Sequence, residues 1–129
     1  MNRHPWLEWV PYGAVLLAIF GPAMLDPNAV PGADVDLRGT LWYYWWLKDA
    51  LLTGGSTEVT DLFCYPYGVD IHAQTGGNFV DAVLSIPFQW AFGTPGYYAV
   101  FVAALFAANT VAMRGLLKTI GVSLAARMF

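Results

Sequence analysis

The sequence predicts an all-α membrane protein: two transmembrane helices bracket an extracytoplasmic loop that carries an amphipathic interfacial helix and a short interfacial or re-entrant apolar segment. Composition is the first reason. The chain is 57% apolar and only 12% charged, with a mean hydropathy of +0.49, whereas soluble domains carry roughly 25% charged residues. The second reason is the pair of non-ionic stretches Trp9–Leu25 and Tyr97–Met113. Each is near the short end of the ~20 residues that a hydrocarbon core of ~30 Å requires. The third is the placement of charge. Every acidic residue except Glu8 lies between the two stretches.

Residues 1–25 read as a cytoplasmic N-terminus and first span. Trp6 and Trp9 flank it as headgroup-level rings, and Pro11, Gly13, Gly21 and Pro22 are tolerable near the ends of a lipid-embedded helix. An alternative makes this a cleaved signal, with Arg3 and His4 before the apolar run and cleavage after Val30-Pro31-Gly32-Ala33, starting the mature chain near Asp34. Pro5, Glu8 and Pro11 sit badly in such a signal.

Residues 26–96 read as the outer loop. Pro, Gly and Asp in 26–35 favour turns, after which Asp36 stands where a helix N-cap should. The run LWYYWWLKDALL places Leu41, Trp45, Lys48 and Leu52 on one side and Trp42, Trp46 and Asp49 on the next. Rings around nearly the whole girth predict a helix over 37–52 lying in the membrane interface, ended by Gly54-Gly55. Residues 56–78 show no sustained period and read as an ordered surface loop, with Cys64 packed between Phe63 and Tyr65. Residues 79–92 are apolar but too short to span, which suits an interfacial or re-entrant segment.

Residues 97–113 read as the second span, opened by Tyr97 and Tyr98, and residues 114–129 as a cytoplasmic tail. The pairs Ala103/Ala107 and Ala104/Ala108 offer a surface to other transmembrane helices, and Asn109 is placed to bond one. Arg3, Arg114, Lys118 and Arg127 flank the spans while only Arg38 and Lys48 lie in the loop. The positive-inside rule then puts both termini in the cytoplasm and the loop outside, the membrane being the cytoplasmic (inner) one in a bacterium. A net charge of −3 with no basic surface excludes nucleic acid as a partner. The single cysteine excludes an internal disulfide, and no Cys/His spacing suits zinc.

The order of Asp34-Val35-Asp36-Leu37, the aromatic run 41–46, Gly54-Gly55, Tyr65-Pro66-Tyr67-Gly68-Val69 and Ser85-Ile86-Pro87-Phe88 before a second span resembles the N-terminal part of the GT-C superfamily, over roughly residues 9–120. These are polytopic membrane glycosyltransferases that use polyprenyl-phosphate-linked sugar donors on the extracytoplasmic face. The resemblance implies that Asp34 and Asp36 are catalytic, since members carry an acidic residue just beyond the first span as base or metal ligand. A divalent cation, held by Asp34 and Asp36, is the cofactor it admits. Arg38 and Lys48 are the cations that can meet a donor phosphate, and Asp70 with His72 forms a second acidic/imidazole pair for substrate. Superfamily members have many more spans, so the expectation is a fragment or one piece of a split enzyme, inactive alone. The competing expectation is a small non-catalytic membrane subunit or scaffold that binds a larger membrane partner. For each site the plain reading stands beside these: Asp34, Asp70 and His72 as solvated turn residues, Asp36 as a helix cap, and Arg38 and Lys48 reaching to lipid headgroups.

Overall fold

In the computed structural model, residues 9–26, 28–32, 34–75 and 78–123 are described, of 34, 35, 74 and 75 the backbone alone. The chain is mostly helical and forms two compact units, residues 1–31 with 95–129 and residues 32–94.

The first unit pairs α1 (Val10–Leu25) with α5 (Tyr97–Thr119). Pro11 falls in the first turn of α1, where its missing N–H has no helical partner to lose. The two helices run antiparallel: Phe20 meets Phe106 with ring centroids 5.4 Å apart, and at the other end the Arg114 guanidinium lies 4.4 Å from the Trp9 ring and 5.6 Å from that of Tyr12. Phe20 is buried in α1, and Tyr97, Ala99, Phe101 and Ala103 in α5, whereas Val15, Leu17, Ile19, Phe106, Val111 and Met113 are exposed. α5 has 23 residues and a mean hydropathy of 1.7 over its most apolar stretch, so it is long and apolar enough to cross a membrane. Among the described residues it is the only helix that is: α1 has 16 residues, so a second span is not shown. α5 also continues past Met113, taking Arg114 and Lys118 into its last turns. It closes with Gly121 in the left-handed region (φ 77) and Val122 N–H donating to Leu117 O at 3.0 Å.

The second unit is built on α2 (Asp34–Thr53) and α4 (Phe79–Phe92), which pack on each other. α2 starts earlier than expected, so Asp36 lies inside its first turn and is not its N-cap. It stops through Gly54 (φ 74), with Gly55 N–H returning to Ala50 O at 2.9 Å. Tyr43, Tyr44, Trp46, Leu47 and Ala50 are buried and Trp45, Leu51 and Leu52 exposed, so protein covers about half of the aromatic girth. Trp42 stacks on Trp46 one turn on, at 5.9 Å and 7°.

Small residues of α4 admit those rings. Ala82 and Ser85 are fully buried, and a polar relay ties the pair together: Gln89 Nε2 donates to Tyr44 O (3.2 Å) and to Ser85 Oγ (2.9 Å), whose own proton goes to Ala82 O (2.7 Å). The segment expected to be a loop contains a small antiparallel hairpin and a helical turn: β1 (Val59–Thr60) pairs with β2 (Val69–Asp70) in the register Val59↔Asp70 and Thr60↔Val69, and α3 (Ile71–Thr75) follows. Phe63, in the hairpin loop, sets its ring 4.6 Å from Trp42 and so joins hairpin to helix. Gly68 suits this place because φ 71 strains any residue with a side chain, and a Cβ would crowd Thr60 O at 3.1 Å.

Candidate functional site

The acidic pair lies in the first turn of α2, which eight intervening residues separate from the end of α1. Asp34 is the first helical residue, and its side chain lies outside the described residues. Asp36 is exposed, and its carbonyl accepts the Thr40 hydroxyl at 3.0 Å. The expected turn up to residue 35 with Asp36 as cap is therefore corrected to helix from Asp34 on, where positions two apart are rotated by about 200°. Acidic residues suit this end because the helix dipole favours negative charge at its first turn.

The two loop cations are not brought together. Arg38 is exposed one turn beyond Asp34, and Lys48 is half-buried ten residues further, about 15 Å along the axis. The second expected pair also takes another form. Asp70 Oδ1 accepts the main-chain N–H of His72 (2.9 Å) and of Ala73 (3.2 Å), so the carboxylate caps α3 and holds the backbone of His72. The imidazole is exposed, 6.5 Å from the Phe79 ring. Cys64, expected to be packed, is exposed and in the left-handed region (φ 56) on the hairpin loop. Asn109, expected to bond a neighbouring helix, is exposed. Among the described residues no group of three or more His, Cys, Asp or Glu is placed to hold a metal ion.

A different constellation emerges from the packing. A groove of about 260 Å³ runs between the C-terminal half of α2 and the hairpin, lined by Trp46, Asp49, Thr53, Ser56, Thr60 and Asp61 among others. Asp49 shares a face of α2 with Trp46 and Thr53 by the three- and four-residue spacing, a signal visible in the sequence. Ser56, Thr60 and Asp61 reach the groove only because β1 pairs with β2, and no local pattern announces that. Elsewhere in this unit, burial pushes the Tyr43 phenol above its ordinary value.

No family model matches the chain, and neither a curated protein nor a solved structure matches it.

Proposed function

We propose that the chain is the membrane-embedded N-terminal module of a GT-C-like glycosyltransferase, with α1 and α5 crossing the bilayer side by side, both termini cytoplasmic and residues 32–94 on the extracytoplasmic face. The observation that carries the membrane part is the antiparallel α1/α5 pair, apolar on its outside and closed at one end by Arg114 over Trp9 and Tyr12. A cation seated on amphipathic rings belongs at headgroup depth. From Tyr97 to Arg114 the helix rises about 26 Å, close to the ~30 Å of hydrocarbon. α1, pinned beside it, covers a similar depth with Trp9 and Tyr12 in one interface. α2 and α4, each with an apolar exposed side, then lie along the outer surface.

The catalytic part rests on the resemblance and on the acidic first turn of α2, which eight residues of chain tether to the end of α1. In this reading Asp34 or Asp36 takes the proton of an acceptor hydroxyl as its oxygen bonds to the anomeric carbon. The bond from that carbon to the polyprenyl phosphate breaks, and Arg38 meets the departing phosphate. A second reading, a non-catalytic subunit bound to a larger membrane partner, is favoured by one feature of α5: Ala108, Asn109, Ala112 and Gly115 are all exposed. Small residues with one amide suit the approach of another transmembrane helix.

The test is transfer from a polyprenyl-phosphate sugar by membranes holding the whole encoded protein. Asp34→Asn or Asp36→Asn is expected to lower turnover about 10²–10⁴-fold with insertion unchanged, the usual loss with a general base. Near-normal turnover in both variants would rule out catalysis by this pair. Capping and dipole roles predict only a small change, since Asn serves a helix start about as well as Asp.

A further inference from the structure

The groove between α2 and the hairpin contains polar groups that the proposed transfer does not use. Among the described residues, neither the Asp49 nor the Asp61 carboxylate has a hydrogen-bond or ion-pair partner. The Thr53 hydroxyl is engaged, donating to Asp49 O at 2.8 Å. Ser56 and Thr60 are different: Ser56 Oγ accepts the N–H groups of Glu58 (3.2 Å) and Val59 (3.0 Å), and Thr60 Oγ1 accepts that of Leu62 (3.2 Å). Each hydroxyl has a single proton to donate, and these main-chain bonds use acceptor lone pairs only. Both oxygens are thus fixed in place with their protons unengaged among the described residues, and Thr60 is only 5% exposed.

The groove therefore sets two acceptor-only carboxylates beside two anchored donors. A cation answers the carboxylates and leaves the hydroxyl protons unmatched. An anion meets the hydroxyls and is repelled by Asp49 and Asp61, while an apolar ligand leaves all four wanting. A hydroxyl group gives a proton and accepts one, so adjacent hydroxyls on one carbon ring answer both sets at once. Trp46, held by its stack on Trp42, adds an apolar wall for the ring's C–H groups. The volume is below the ~300–1,000 Å³ of drug-sized pockets, room for one ring and not a chain. We propose that this groove is a binding site for a single polyhydroxylated ring, a monosaccharide unit or cyclitol, held through its hydroxyls by Asp49, Asp61, Ser56 and Thr60. The site stands apart from the acidic first turn of α2, and binding there does not require transfer.

The experiment is an amide NMR titration of the full chain in phospholipid nanodiscs, free of glycoside detergent, with methyl β-D-glucoside, with myo-inositol, and with Mg²⁺ alone. Saturable shifts with at least one polyol are expected at residues 49, 60 and 61. Asp49→Ala or Asp61→Ala, both at exposed positions, is expected to weaken binding about tenfold or more, as for a hydrogen bond to a charged group, and Thr60→Val about threefold. No saturable shift with either polyol overturns the proposal. So do shifts that survive both aspartate substitutions, and so does Mg²⁺ alone producing the same shifts, which would make this a cation site. Because the readout is binding, it is separate from the transfer assay on the whole encoded protein: absence of transfer there would sink the transferase reading and leave this one intact.

Discussion

The two units solve burial in opposite ways. Residues 32–94 enclose a core of their own, in which the Gln89–Ser85–Tyr44 relay binds α2 to α4 and Trp42, stacked on Trp46 within α2, takes the hairpin's Phe63. The α1/α5 pair meets at Phe20 and Phe106 and at Arg114 over Trp9 and Tyr12, and leaves large apolar side chains outside, Leu17 being 67% exposed. A buried polar relay in hydrogen-bonding register specifies one arrangement of two helices. An apolar exterior specifies a solvent, and in the proposed membrane arrangement that solvent is lipid.

The sharpest break of that contrast compares a core leucine with an outward one. Leu47 is fully buried in α2, so Leu47→Ala is expected to cost about 2–5 kcal/mol in denaturant unfolding of the bilayer-reconstituted chain. Leu17→Ala removes the same carbons from an exposed site and is expected to change stability by less than about 0.5 kcal/mol. Equal losses at the two positions would mean that α1 is buried by contacts outside those described, and the contrast would fall.

Arg114 sharpens the lipid half of the comparison. Its seat over Trp9 and Tyr12 is worth roughly 0.5–2 kcal/mol, but its larger effect is on depth. Arg114→Leu lengthens the apolar stretch of α5 by a turn, so the helix end should be drawn toward the bilayer. With Cys64→Ser as background, a cysteine at Thr119 is expected to react with a membrane-impermeant thiol reagent from the cytoplasmic side. The expected rate falls several-fold in Arg114→Leu and recovers in Arg114→Lys. Unchanged labelling in the leucine variant would remove Arg114 as the depth marker.

What the sequence makes legible follows the range of the interactions. Local punctuation marks α4 and the start of α5, because Gly93-Thr94-Pro95-Gly96 ends one helix and frees the next, and both begin where the apolar runs do. The start of α2 is misread because Asp36 is a good cap on residue type alone, whereas the helix is already under way two residues earlier, at Asp34. The hairpin is invisible for another reason. Its strands are two residues long, too short for any alternation, and its stability comes from Phe63 on Trp42 and from Gly68 fitting under Thr60, contacts between residues far apart in sequence. The exposure of Cys64 and the groove with Asp49 and Asp61 inherit that invisibility, since both exist only once the hairpin has formed. The half-coverage of the aromatic girth is a similar case: periodicity shows that α2 needs cover, and only the Ala82/Ser85 face of α4 shows where protein supplies it.

The smallest expected effect is one of sign. Tyr43 is 2% exposed, and its hydroxyl has no hydrogen-bond partner among the described residues. A buried hydroxyl without a partner loses its water and gains nothing in exchange, so Tyr43→Phe is expected to leave stability unchanged or raise it by up to about 1 kcal/mol, unlike most core substitutions. The pH dependence gives an independent check. Burial holds the folded phenol above its ordinary value of 10.0, so the unfolded chain loses this proton first as alkali is added. The stability at stake is fully present below that ordinary value and falls as pH rises through it toward the folded one. Replacing the phenol removes this part of the decline, and the stability of Tyr43→Phe should exceed that of the parent by a margin that widens on the alkaline side. A loss of more than about 1 kcal/mol at neutral pH would show instead that the hydroxyl has a partner in the folded chain, and that the core of residues 32–94 holds a second polar tie beside Gln89.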